Sequence, residues 1–158
     1  MSKFRLNRKY TEAIATIVNR SPYFLLLSMK IKDLQWGSSL LEVQLGKKHL
    51  QPFGVVQGGV IASVVDAAAY LAVFPQVEEG KGLTTVEMKI NYLAPVRKGK
   101  LVVLGRCIKL GKTLALGEAQ VKDGKGILVA HGIATLMVVP DLNLPGSENL
   151  PPSRLQSF

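Results

Sequence analysis

The sequence predicts an α+β domain in which a curved antiparallel sheet wraps around one long buried helix. Three observations carry this. Residues 58–74 are apolar on nearly every side, so a helix there must be buried within protein. From Thr84 onward the pattern changes to period two with β-branched residues, broken by tight turns. The chain has 158 residues, 47% apolar and 20% charged, which suits a single globular domain and excludes a mainly disordered chain.

Taken in order, Thr11 to Asn19 reads as a short amphipathic helix with Thr11 as its cap. Lys30 to Leu45 supplies one or two strands with a turn at Trp36-Gly37. Pro52 to Gln57 is a loop, and the central helix runs from Gly58 to Phe74, where Pro75 stops it. Thr84 to Tyr92 is a long strand, ended by Pro95. Further strands follow at Leu101–Leu110, Thr113–Lys122 and Ile127–Val139, separated by Arg97-Lys98-Gly99-Lys100, Gly111-Lys112 and Asp123-Gly124-Lys125-Gly126. Four strands joined this way imply an antiparallel meander. One domain over 1–139 is expected, with 1–20 as a helical extension and 140–158 as an irregular, proline-rich tail.

Composition narrows the function. Twenty Lys and Arg against eleven Asp and Glu give a net charge of +9, a surface that attracts nucleic acid, anionic lipid or a phosphate-bearing small molecule. The basic residues are scattered, aromatics are only 6%, and no nucleic-acid-binding motif appears, so no nucleic-acid partner is expected. Gly54 to Phe74 has the length of a membrane span, but Asp66 near its middle and three glycines in its first six residues argue for a buried core helix and no membrane. The single cysteine, Cys107, fits a reducing compartment as an inert buried thiol, and residues 1–20 lack an apolar signal core, so a cytoplasmic protein is expected. No spacing of His, Cys and Asp suggests a metal, and no cofactor is implied.

The stretch His49-Leu50-Gln51-Pro52-Phe53-Gly54-Val55-Val56-Gln57-Gly58-Gly59, with Asp66 seven residues later, resembles the hotdog-fold acyl-CoA thioesterases of the phenylacetate-degradation (PaaI-like) group. The likeness continues through Thr85-Val86-Glu87-Met88-Lys89-Ile90-Asn91-Tyr92-Leu93-Ala94-Pro95 and Gly111-Lys112-Thr113. It implies hydrolysis of an acyl- or aryl-acyl-CoA by a homodimer or dimer of dimers, with the site at the dimer interface. It also implies roles: the backbone N–H of Gly58 as oxyanion donor, beside Gly59, and Asp66 as general base or nucleophile. Gln51 would position the thioester or water, and Thr85 would assist the water. The family's usual histidine is replaced by Gln57, which hydrogen-bonds but does not titrate near neutral pH.

The chemistry makes independent sense of these positions. Thioester attack puts negative charge on the carbonyl oxygen, and an N–H at a helix start can stabilise it. Alternatively, Gly58-Gly59 merely lets the helix pack closely. Asp66 inside an apolar helix is expensive unless paired or used. It lies eight residues beyond Gly58, ~12 Å along a helix, too far for both to serve one carbonyl. Two antiparallel helices from two chains bring Gly58 of one to Asp66 of the other, so the site should be shared. Arg97, Lys98 and Lys112, with Lys100 and Lys109, are candidates for the phosphates of coenzyme A. Pocket depth depends on Tyr23, Phe24, Tyr70 and Phe74. His49 and His131 read as structural. The competing functions are a hotdog enoyl-CoA hydratase or dehydratase, for which Asp66 lacks an evident histidine partner, and a non-catalytic acyl-CoA sensor.

Overall fold

A computed structural model describes residues 4–156. Strand β1 (Phe4–Leu6) precedes helices α1 (Arg8–Asn19) and α2 (Pro22–Leu26); strands β2 (Met29–Gln35) and β3 (Ser38–Gln44) follow. The central helix α3 (Gly58–Val73) leads through a 3-10 turn, Phe74–Gln76, into β4 (Lys81–Tyr92), β5 (Lys100–Leu110), β6 (Leu114–Asp123) and β7 (Leu128–Pro140). A last strand, β8 (Arg154–Gln156), pairs with β1. The six-stranded antiparallel sheet has the order β2-β3-β5-β6-β7-β4, and α3 packs against one face of it. This is the hotdog arrangement.

The expected four-strand meander needs correction. β5, β6 and β7 do form one, but β4 pairs with β7 and lies at the sheet edge, while β5 pairs with β3. Residues 93–99 carry the chain back across the sheet, and Leu93 and Ala94 donate to Val129 C=O as they leave β4. Three smaller corrections concern the termini. α1 starts three residues earlier than expected, because Asn7 rather than Thr11 caps it: Asn7 Oδ1 accepts from Lys9 N–H at 3.1 Å. Thr11 sits inside the helix and donates its hydroxyl to Arg8 C=O. The tail is not wholly irregular: it contains β8, and Asn7 Nδ2 holds Pro152 C=O at 2.8 Å.

The helix lies close to the sheet because the strands beneath it carry small residues. An added Cβ at Gly105 of β5 would stand 2.1 Å from Ala68 C=O, one at Gly117 of β6 2.8 Å from Ala69 C=O, and one at Gly132 of β7 2.5 Å from Val65. Ser39 Oγ on β3 donates to Ala68 C=O at 2.7 Å. Val64, Val65, Ala68, Ala69, Ala72 and Val73 are buried on this side. Gly59, Ala62, Ser63, Asp66, Ala67 and Tyr70 fall on the opposite face and keep partial exposure. The long apolar helix is thus covered by sheet on one side only.

Candidate active site

Asp66 stands on that half-exposed face of α3. Thr85 on β4 donates its hydroxyl to Asp66 Oδ1 at 2.7 Å, so two of the residues singled out in the sequence meet across nineteen positions of chain. A bulge at Val86 makes this possible: Thr85 pairs with Leu136 and Glu87 with Thr135. The extra residue shifts the strand's alternation by one. Leu83 and Thr85 therefore face α3 before the bulge, and Met88, Ile90 and Tyr92 face it afterwards.

Tyr92 reaches the start of the helix. Its hydroxyl donates to Gly58 C=O at 3.2 Å, and its ring would lie 3.5–3.6 Å from a Cβ at Gly58. A Cβ at Gly59 would approach only the side chain of Gln57, at 3.9 Å. Neither glycine is required by close packing; the glycines that serve that purpose lie in the sheet. Val60 N–H bonds back to Gln57 C=O at 3.0 Å, whereas the N–H groups of Gly58 and Gly59, the first two of the helix, meet no acceptor among the described residues. Together with the helix dipole they present partial positive charge to an incoming oxygen.

The loop before the helix is braced from within. Gln51 C=O accepts from Gly54 N–H at 2.9 Å, and Gln51 Oε1 accepts from Phe53 N–H. Gly54 takes φ +75°, a left-handed conformation that favours glycine. Gln51 thus holds the turn with its oxygen end. Gln57 is exposed, and its side chain does not cap the helix. His49 is buried, with Nε2 at 2.8 Å from Leu27 C=O and Nδ1 accepting from Gly46 N–H at 2.9 Å. Both ring nitrogens are occupied by backbone, which leaves it a structural residue. His131 lies 3.2 Å from Glu118, whose carboxyl is held below its usual range chiefly by a hydrogen bond from Arg106. Cys107 is half-buried rather than buried, and burial pushes its thiol above the ordinary value, away from the reactive thiolate.

The basic candidates separate. Arg97 Nη1 donates to Phe53 C=O at 3.1 Å and Gly54 C=O at 3.4 Å, which puts it and Lys98 beside the loop leading to Gly58. Lys100 is paired with Glu42 at 2.8 Å. Lys112 lies beyond the far end of β5, an 11-residue strand that spans roughly 35 Å. It cannot join Arg97 on one ligand within one chain. The structure also contains contacts the sequence did not announce: Tyr92 against Gly58, and the hydroxyl of Tyr23, a pocket residue already expected, 2.7 Å from Ser63 Oγ. A cleft of about 370 Å³ beside Asp66 is lined by residues of α1, α2, β2 and α3. A larger cavity, about 770 Å³, lies between α1, the 77–81 turn and the tail and is lined by Glu78, Glu79 and Glu148. Its acidic wall disfavours a polyphosphate ligand.

Comparison with known proteins places the chain. Residues 53–130 match the model of the thioesterase superfamily. A Saccharolobus solfataricus protein provisionally named an esterase is 30% identical over 116 residues, 73% of this chain and 82% of that protein. Human acyl-coenzyme A thioesterase 13 is 30% identical over 98 residues, 61% of this chain and 69% of that protein. In three dimensions, a Haemophilus influenzae thioesterase superposes with a TM-score of 0.79 at 23% identity, covering 88% of this chain and 96% of that one.

Proposed function

Because the chain belongs to the thioesterase superfamily, we propose that it hydrolyses the thioester of an acyl-coenzyme A at a site shared by two copies of the chain. The observation that carries this reading is the Asp66 carboxylate, placed on the half-exposed face of an otherwise apolar core helix and oriented by Thr85. An acid on so apolar a helix gives up part of its hydration, and Thr85 returns one hydrogen bond to it.

In the proposed reaction the thioester carbonyl docks against the free N–H groups at Gly58 and Gly59 of one chain. Asp66 of the other chain takes a proton from water as the water oxygen bonds to the carbonyl carbon. The tetrahedral oxyanion is stabilised by the glycine N–H donors, one of which is typically worth ~2.7–4 kcal/mol of barrier. The carbon–sulfur bond then breaks, the proton returns to the departing thiolate, and free acid and coenzyme A leave. A direct attack by Asp66 through an anhydride uses the same residues. Arg97 and Lys98, next to the loop that feeds Gly58, are suited to the coenzyme A phosphates. Thr85 engages Oδ1, which leaves Oδ2 to take the proton in this reading.

The shared site is supported by the ~12 Å that eight helical residues place between Gly58 and Asp66. The unpaired edge of β4, with Val86 and Tyr92 more than half exposed, and the uncovered face of α3 offer a surface for a second copy. A hydratase would need a histidine base at the site, and His49 is fully engaged with backbone. Asp66→Asn keeps the volume and can still accept from Thr85, but removes the base. Thiol release from a panel of acyl-CoAs should fall by at least ~10²-fold. Near-normal hydrolysis by this variant would overturn the mechanism, and the absence of hydrolysis by the native protein with tight acyl-CoA binding would favour a sensor.

A further inference from the structure

We propose that the end of the sheet carrying the 45–49, 51–57, 93–99 and 123–128 loops docks on an anionic phospholipid membrane. Basic residues scattered in the sequence are gathered here by the fold. Gln44 of β3 pairs with Lys100, and Leu101 of β5 with Asp123 of β6, so the loops at these strand ends share one end of the molecule. Leu45 N–H donates to Gly99 C=O at 3.0 Å and Val56 N–H to Val96 C=O at 2.7 Å, which ties the loops together. Lys47 and Lys48 follow β3; Arg97 and Lys98 precede β5, and Lys100 opens it; Lys122 and Lys125 belong to the end of β6 and the turn after it. The two acids among them are engaged. Glu42 pairs with Lys100 at 2.8 Å, and Asp123 Oδ1 takes the N–H groups of Lys125 and Ile127. At the opposite end, Lys81, Lys109 and Lys112 meet Glu78, Glu79, Asp141 and Glu148. The positive charge is therefore concentrated at one end.

Charge alone suits any polyanion, and the apolar tips of the same loops decide among them. Phe53 is 85% exposed and Ile127 54% exposed. Arg97 Nη1 donates to Phe53 C=O at 3.1 Å, which sets a cation at the foot of the more exposed tip. A bilayer surface rewards this combination. Lysine and arginine meet the acidic headgroups, while Phe and Ile leave water for the headgroup–acyl boundary. A nucleic acid would meet the same charge but gain nothing from Ile127, whose side chain has no face on which a base can stack. Lys47 and Lys48 follow β3, four strands from the β4 edge offered to a second copy, and so stand clear of that contact. Arg97 and Lys98 were assigned above to coenzyme A phosphates; Lys47, Lys48 and Lys125 have no such role, so their replacement separates the two functions. The contact is peripheral and leaves α3 packed on the sheet.

The test is co-sedimentation of the full chain with vesicles of phosphatidylcholine alone and of phosphatidylcholine with about 30% phosphatidylserine. Partitioning onto the anionic vesicles should be at least ~10-fold stronger than onto the neutral ones and should weaken as salt is raised. The triple variant Lys47→Gln, Lys48→Gln, Lys125→Gln should lower it at least ~30-fold. The double variant Phe53→Ser, Ile127→Ser keeps every charge and should lower it at least ~10-fold. Circular dichroism establishes that each variant is folded; if the triple variant is not, the double variant and the salt dependence decide. Equal partitioning onto neutral and anionic vesicles, or unchanged partitioning of either folded variant, overturns the proposal. So does binding to a single-stranded or duplex oligonucleotide that is tighter than binding to the anionic vesicles and indifferent to Phe53→Ser, Ile127→Ser, since the surface would then serve a nucleic acid. These measurements read binding alone, so they stand whether or not the chain hydrolyses a thioester.

Discussion

The peptide between Gly58 and Gly59 has its carbonyl held by Tyr92 and its N–H open to a substrate oxygen. A hydrogen bond to a peptide C=O polarises that unit and strengthens its N–H as a donor. Tyr92→Phe keeps the ring over Gly58 and removes only the bond from the hydroxyl. The expected outcome is a kcat lowered by about 2–10-fold, the worth of one ordinary hydrogen bond, with KM little changed; steady-state kinetics on one acyl-CoA check it. Gln57 makes the opposite case. It sits exposed at the head of the helix with no side-chain cap bond, so the helix start does not depend on its side-chain amide. Gln57→His should change activity less than tenfold, under ~1.4 kcal/mol of barrier. A pH–rate profile should also gain an ionisation between about pH 5 and 8, where imidazole titrates. Complete loss of activity in a folded Gln57→His protein would show that the loop does a different job.

At the scale of elements, close helix–sheet packing depends on glycine in the strands and openness at the site depends on glycine in the helix. Gly105→Ala drives a methyl into the backbone of Ala68. Overpacking of this kind typically costs ~1–3 kcal/mol, so the thermal midpoint should drop by roughly 3–10 °C; calorimetry of the folded protein measures it. This division of labour also explains what the sequence could and could not convey. Hairpins were legible where turn chemistry is local: Asp123 Oδ1 accepts from the N–H groups of Lys125 and Ile127, both at 2.9 Å, closing the β6–β7 turn. The central helix was legible because an apolar run of that length has few alternatives. The partner of β4 was not, because period-two alternation fixes which face a residue takes and not which strand lies alongside. The Val86 bulge was equally hidden, and with it the reason Thr85 and Tyr92, seven residues apart, share a face. Asp66 and Thr85 could be named from their motif and Tyr23 as a pocket residue, but Ser63 and Tyr92 became candidates only when the elements were placed side by side.

For the whole molecule, the proposed reading divides the site, because Gly58 and Asp66 of one chain stand ~12 Å apart along the helix. The Arg97–Lys98 turn stands near Gly58 and the apolar cleft near Asp66, so in the proposed reading each end of an acyl-CoA would meet a different copy. Complementation tests that division. A Cβ at Gly58 makes only ordinary contact with Tyr92, so Gly58→Val should fold while its branched side chain obstructs the approach of the thioester. Asp66→Asn lacks the base, and each variant alone should form a nearly inactive dimer. In a mixed dimer, one composite site receives both defects and the other receives an intact Gly58 turn and an intact Asp66. Activity per mixed dimer should therefore approach half that of the native protein. Differently tagged subunits, co-expressed and purified through both tags, establish that the mixed species is present, and light scattering gives its mass. If verified mixed dimers stay as inactive as their parents, both groups act within one chain, and the ~12 Å between them would have to be closed by movement of the helix itself.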